Sequence, residues 1–203
     1  MKPKKLAKPA VPKRSRNADA TRDAILQSAR RAFARAGYDG AGVREIAREA
    51  GVTAMMINRY FGSKEQLFAD VLVEVMQTPT ILAADNLRSA NIAENFAAAL
   101  VDITRMGETP LEGFLIMMYS AASPAAADIG REQIQNNYQK LLASVLRGEQ
   151  REERAALVFA LIAGVQVMRQ IIALPALAAA DPRKLTRLLE PLFEQLLGEP
   201  RSP

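Results

Sequence analysis

The sequence predicts an all-α protein, and three observations carry that expectation. Hydrophobic residues make up 49% of the 203-residue chain while aromatics are only 5%, and alanine and leucine far outnumber β-branched runs. Apolar residues recur at helical spacing from Ile25 onward. Helix-stopping and helix-starting signals (Gly37, Ser63, Thr109-Pro110, Ser123-Pro124, Asp181-Pro182) punctuate the chain at helix-length intervals. The expected architecture is an N-terminal three-helix helix-turn-helix domain followed by a larger helical domain.

Residues 1–18 hold Pro3, Pro9 and Pro12 among lysines, the composition of a disordered basic arm. Ile25, Leu26, Ala29 and Phe33 predict a first helix over about 21–36, stopped by Gly37. Two short helices follow, about 43–50 and 54–60, with Thr53 as N-cap of the second. Ser63 then caps a fourth helix running to about 77, with Gln66 in capping-box spacing and Leu67, Phe68, Val71, Leu72 and Val75 facing a core. Thr78-Pro79 ends it. One or two helices are expected within 85–106, then helices over about 110–122, 124–147, 152–174 and 182–197. The domains expected are an arm (1–18), a small helical unit (19–66) and a larger helical domain (67–203).

The chain has 0 cysteines and 0 histidines, which removes disulfides, zinc–thiolate sites, the usual metal ligand and the usual general base. No cofactor, no metal and no enzyme activity are expected; carboxylate pairs such as Glu152-Glu153 read as a solvated face. The net charge of +5 is uneven: residues 1–16 carry +7, residues 17–70 carry +1 and the remainder −3. Only the N-terminal part therefore attracts polyanions, as an arm on DNA phosphates, a solubilising tail or a membrane tether. The longest nearly uncharged run, Ala155 to Met168, falls short of the about 20 residues a bilayer span needs, so a cytoplasmic protein with no membrane partner is expected.

The stretch VREIAREAGVTAMMINRYF, Val43 to Phe61, is the most informative. Ala47 lets two helices approach, Gly51 can take the left-handed turn conformation cheaply, and Val52 and Ile57 pin the second helix onto the first. Such a unit lays its second helix in a DNA major groove. Glycines 37, 40 and 42 do not make a phosphate cradle, because no strand precedes them.

TRDAILQSARRAFARAGYDG, VREIAREAGV and YFGSKEQLFADVL together resemble the DNA-binding domain of the TetR family of bacterial transcriptional regulators, over about residues 21–72. GVQVMRQIIALPALAAADPRKL is similar to the junction of that family's last two helices, which form a four-helix dimer interface. The resemblance implies a homodimer through those helices, a palindromic double-stranded DNA operator and a small-molecule effector held in the C-terminal domain. Carried over by position, Thr53, Ala54, Met55, Asn58, Arg59 and Tyr60 lie on the groove-facing helix, Lys64 contacts a phosphate, and Arg44 reaches DNA from the preceding helix. Ala41-Gly42 stands where members carry hydroxyl residues, Met55-Met56 where they carry a small residue and then Ser or Thr, and Asn58 where they carry tyrosine.

Each residue also has a plainer reading: Met55 as core filler, Tyr60 as packing, Asn58 and Arg59 as solvated surface, and Arg30, Arg31 and Arg35 as solvated charges. For the effector, Met106, Phe114, Met117, Met118, Tyr119, Tyr138 and Met168 are candidate lining and Asn137, Gln166 and Arg169 candidate polar contacts, against ordinary core packing. A mainly apolar ligand is expected. In the last helix Leu185, Leu188, Leu189, Leu192, Phe193, Leu196 and Leu197 form one stripe, the expected dimer face. The leading expectation is a ligand-released repressor; the alternative is an architectural DNA-binding protein without a ligand.

Overall fold

The computed structural model describes residues 13–77, 80–105, 107 and 111–198. Met106 and the Thr78-Pro79 and Thr109-Pro110 signals lie outside the described residues, as does the arm up to residue 12. Residues 13–18, expected in the arm, instead open the first helix.

The helices in order are α1 (Lys13–Gly40), α2 (Val43–Glu49), α3 (Ala54–Phe61), α4 (Lys64–Met76), α5 (Ala84–Arg88), α6 (Ile92–Ile103), α7 (Glu112–Ser120), α8 (Pro124–Ile134), α9 (Lys140–Val145), α10 (Arg151–Gln166), α11 (Pro175–Ala178) and α12 (Pro182–Leu197). Two π-helical turns, Gln135–Gln139 and Val167–Ile171, join α8 to α9 and extend α10. No strand occurs among the described residues.

The N-terminal core forms where the sequence places its apolar stripes. Ile25, Ala29 and Phe33 of α1, Ile46 of α2, Ile57 of α3 and Leu67, Phe68, Val71 and Leu72 of α4 are fully or almost fully buried together. Phe68 meets Phe33 edge-on at 5.0 Å and Tyr38 at 5.1 Å, a geometry that favours aromatic pairs. Gly37 breaks α1 at φ +66°. Its backbone lies so close to α7 that an added Cβ would stand 2.3 Å from the Tyr119 carbonyl oxygen. Gly51 takes φ +68° in the α2–α3 turn, where Val52 N–H donates to Ala47 O at 2.9 Å. Ser63 Oγ accepts from Gln66 N–H at 3.1 Å, while the Gln66 side chain turns to Asp70 rather than closing a reciprocal box.

A second core joins α6, α9, α10 and α12 around Phe96 and Phe193, whose rings meet at 5.8 Å. The expected single stripe of α12 splits. Leu185, Leu189, Phe193 and Leu197 enter this core, whereas Leu188 and Leu192 stay 70% and 46% exposed. A stripe of seven is wider than one neighbouring helix can cover, so its flank is left outside. On α10, Leu157 is also exposed. With its π-turn that helix runs Arg151–Ile171, 21 residues that include an 18-residue window of mean hydropathy 1.4, long and apolar enough to cross a membrane. Only a third of its apolar window is buried in the chain, and it carries Arg154 and Arg169 inside the fold.

The two halves are tied through α1 and α7. Tyr38 N–H donates to Ser120 Oγ at 2.9 Å, and Ser123 Oγ donates to Asp39 at 3.0 Å. Arg30, expected to be solvated, pairs with Glu112 at the start of α7 and lies 4.0 Å from Glu74 of α4.

Candidate nucleic-acid interface and effector cavity

α3 owes its position to Ile57 and Phe61, which are buried, and to Ala54 and Tyr60, which pack partly against the same core. That leaves Thr53, Met55, Asn58 and Arg59 facing outward. Met55 is 80% exposed, so it does not fill the core. Thr53 is the N-cap of α3, but its hydroxyl makes no cap bond and is available to a phosphate. Gly42 at the start of α2 offers no side-chain cap.

Lys64, at the first position of α4, holds its ammonium 4.4 Å from the centre of the Tyr38 ring, a cation–π contact that steadies the charge near the helix start. Tyr38 in turn donates to Glu65 at 2.8 Å. Burial, then the bond to Glu65, pushes the Tyr38 phenol up to about 12. Glu65 is held below the usual carboxylate range, first by a backbone hydrogen bond and then by Tyr38.

Two arginines of the N-terminal unit are engaged in bracing its helices. Arg35 is spent on Glu45 at 2.7 Å and Glu49 at 3.5 Å, bracing α2 against α1. Arg22 pairs with Asp70 at 2.6 Å and lies over the Phe61 ring at 4.9 Å. Arg44, Arg48 and Arg59 make no ion pair among the described residues. Arg48 was not singled out from the sequence, although i, i+4 spacing puts it on the Arg44 face of α2.

A cavity of about 650 Å³ opens between the end of α4, the 80–82 segment, α7, the first π-turn and α10. Of the residues expected to line it, Phe114, Met117, Met118, Tyr138 and Gln166 do so. Four others do not. Tyr119 is 47% exposed on the far side of α7, where its backbone meets Gly37. Asn137 is exposed and bonds Gln133 along its own helix. Met168 is 45% exposed. Arg169 is 2% exposed and is turned to α6, where Nη1 donates to Val101 O at 2.6 Å and Thr104 Oγ1 at 2.8 Å. It caps the negative end of that helix. Burial, then the nearby Arg105, holds its pKa below the usual arginine value.

The rest of the wall is mostly apolar and drawn from distant segments: Val75, Met76, Ile81, Leu82, Phe159 and Ile162. Arg30 and Glu112, the pair joining α1 to α7, also border it. Tyr138 donates its hydroxyl to Met76 O, the last residue of α4, at 2.5 Å.

Comparisons with known proteins agree with this layout. Residues 25–71 match the family described as bacterial regulatory proteins, tetR family, and residues 90–197 match the tetracyclin repressor-like C-terminal domain. The HTH-type transcriptional repressor NicS of Pseudomonas putida is 42% identical over 62 residues, 30% of this chain and 29% of that protein. The match thus spans under a third of that curated relative. GusR of Salmonella enterica superposes with a TM-score of 0.66 at 18% identity, covering 87% of this chain and 95% of that one. NalD, the secondary repressor of the MexAB-OprM multidrug efflux pump in Pseudomonas aeruginosa, superposes at 0.62 with 22% identity, covering 89% and 98%. At these identities the solved structures carry the fold, and the two family matches together cover both halves: the chain belongs to the TetR family of bacterial transcriptional regulators.

Proposed function

We propose that this regulator is a repressor that binds a palindromic operator as a homodimer and leaves it when a small, mainly apolar ligand fills the cavity. The observation that carries this reading is the placement of α4. Its first residue, Lys64, follows α3 after only Gly62 and Ser63, and its last turn, Val75 and Met76, is cavity wall. A helix of 13 residues spans about 20 Å, so a ligand pushing on one end moves the other.

In this reading Thr53, Tyr60 and Lys64 hold phosphates and Arg44 and Arg48 reach the backbone from α2. Arg59 pairs with a guanine edge, worth roughly 1–3 kcal/mol of discrimination. Asn58 reads adenine and Met55 packs on thymine methyls. Ala54 keeps α3 close to the core. Leu188, Leu192 and Leu157 form the face that a second copy covers. The cavity volume lies within the about 300–1,000 Å³ of ordinary ligand sites. The site of action is the cytoplasm, where the DNA is.

The test is a panel of apolar compounds read two ways. A ligand at about 100 times its dissociation constant adds roughly 2.7 kcal/mol, several degrees in melting temperature. A compound that raises melting and weakens duplex binding supports the reading. Compounds that raise melting while leaving DNA affinity unchanged reject it.

A further inference from the structure

The polar groups of the cavity are specific in a way its apolar wall is not. Gln166 is 4% exposed, lines the cavity, and its Nε2 has no hydrogen-bond partner. A buried amide left unpaired is costly, and natural proteins keep such groups where something else pairs with them. Tyr138 lines the same cavity, and its hydroxyl is committed to Met76 O at the end of α4. Both groups stand at π-helical turns, Tyr138 inside Gln135–Gln139 and Gln166 immediately before Val167–Ile171. Such turns concentrate at functional sites because they re-aim side chains out of the regular register. Gln166 Nε2 is thus a free donor at a mostly apolar cavity, and the Tyr138 hydroxyl beside that cavity is a donor already engaged by Met76 O. Burial pushes the Tyr138 phenol up to about 12, so it stays a neutral donor across the physiological range.

We infer that the ligand is an apolar molecule bearing a hydrogen-bond acceptor, which Gln166 binds and which draws the Tyr138 hydroxyl away from Met76 O, loosening the last turn of α4. This rests on the cavity being the effector site. Gln166 then selects the ligand, and Tyr138 is a positioning residue that couples its arrival to α4. The carbonyl of Met76, at a helix end, has no intrahelical donor of its own, so losing Tyr138 leaves it to water and frees the turn.

The experiment uses the full chain and two fluorescent probes that differ by one group. These are 2-dimethylamino-6-propionylnaphthalene, a ketone, and 2-dimethylamino-6-propylnaphthalene, which lacks the carbonyl. The ketone is expected to bind about 3- to 10-fold tighter, the worth of one neutral hydrogen bond. Gln166→Leu should abolish that preference while leaving the melting temperature equal or higher, because an unpaired buried amide is removed. Ketone binding should speed amide hydrogen exchange at residues 75–77, and the second probe should not. In Tyr138→Phe that exchange should be fast from the outset and indifferent to the ketone. If both probes bind equally, the cavity reading stands and this inference falls. If neither binds, both fall. A lower melting temperature for Gln166→Leu assigns the amide a structural role and overturns the selection claim. Ketone preference with unmoved exchange at 75–77 overturns the role of Tyr138.

Discussion

Replacing Gly37 by alanine should be far more damaging than the same change at Gly51, although both glycines hold positive φ. At Gly51, φ +68°, no atom lies within 4 Å of the added Cβ. The cost there is the left-handed backbone alone, about 1–2 kcal/mol. At Gly37 the backbone (φ 66°, ψ −176°) lies in a region almost reserved for glycine, worth about 1–3 kcal/mol. The Cβ would also stand 2.3 Å from a backbone oxygen, where real contacts do not fall under 3.0 Å. That oxygen belongs to Tyr119 in α7, next to Ser120, which holds Tyr38 N–H. Backbone cannot swing aside like a side chain, so overpacking adds about 1–3 kcal/mol. A total near 4 kcal/mol at about 2–4 °C per kcal/mol predicts a melting temperature lower by about 8–16 °C. Gly51→Ala should lose about 2–8 °C. Thermal denaturation followed by circular dichroism measures both. If the two variants melt within two degrees of each other, the close approach of α1 to α7 is not a structural constraint and the reasoning fails.

Lys64→Ala should weaken binding to all duplexes alike, and in a dimer it should reduce the slope of log affinity against log salt by about 1.8; an unchanged slope removes Lys64 from the phosphate contacts. Arg59→Ala should instead relax sequence preference at one position of each half-site, and a uniform loss over all sequences would assign it to the backbone. Leu188→Glu, at a 70% exposed position, should yield a folded monomer by sedimentation, whereas a persisting dimer would place the interface elsewhere. Tyr38 and Tyr138, each raised to about 12 from about 10 in unfolded chain, favour the folded state while protonated. Their contribution is complete below pH 10 and is lost as pH rises through 12. Urea midpoints should fall over that window, and Tyr138→Phe should make the fall shallower; an equally steep fall in the variant assigns the effect to other groups.

Helix boundaries were legible where local signals set them, unlike the start of α1 at Lys13, which no cap residue marks. Gly37 and Ser63 act within a turn of their own position, and Thr53 marks the start of α3 through its backbone without a side-chain cap. The outward face of α3 was legible for the same reason, since Ile57 and Phe61 fix which side is buried. The cavity was legible only in part, through Phe114, Met117, Met118, Tyr138 and Gln166, because its wall joins residues more than 80 positions apart, Val75 and Phe159 among them, and periodicity says nothing of which helices neighbour. Arg169 read as a ligand contact because a charge in an apolar run asks for a partner, and that partner is a pair of acceptors at the end of α6, which no pattern announces. Arg30 read as solvated for the converse reason: Glu112 lies 82 residues away.

Selection of bound sequences from a random duplex pool, with the purified protein at physiological salt, tests the central claim most directly. The account predicts enrichment of a palindrome whose half-sites lie about one helical turn apart or a multiple of it, with Arg59→Ala losing preference at one base pair in each half. Salt-sensitive binding without any enriched sequence would contradict it and point to an architectural role.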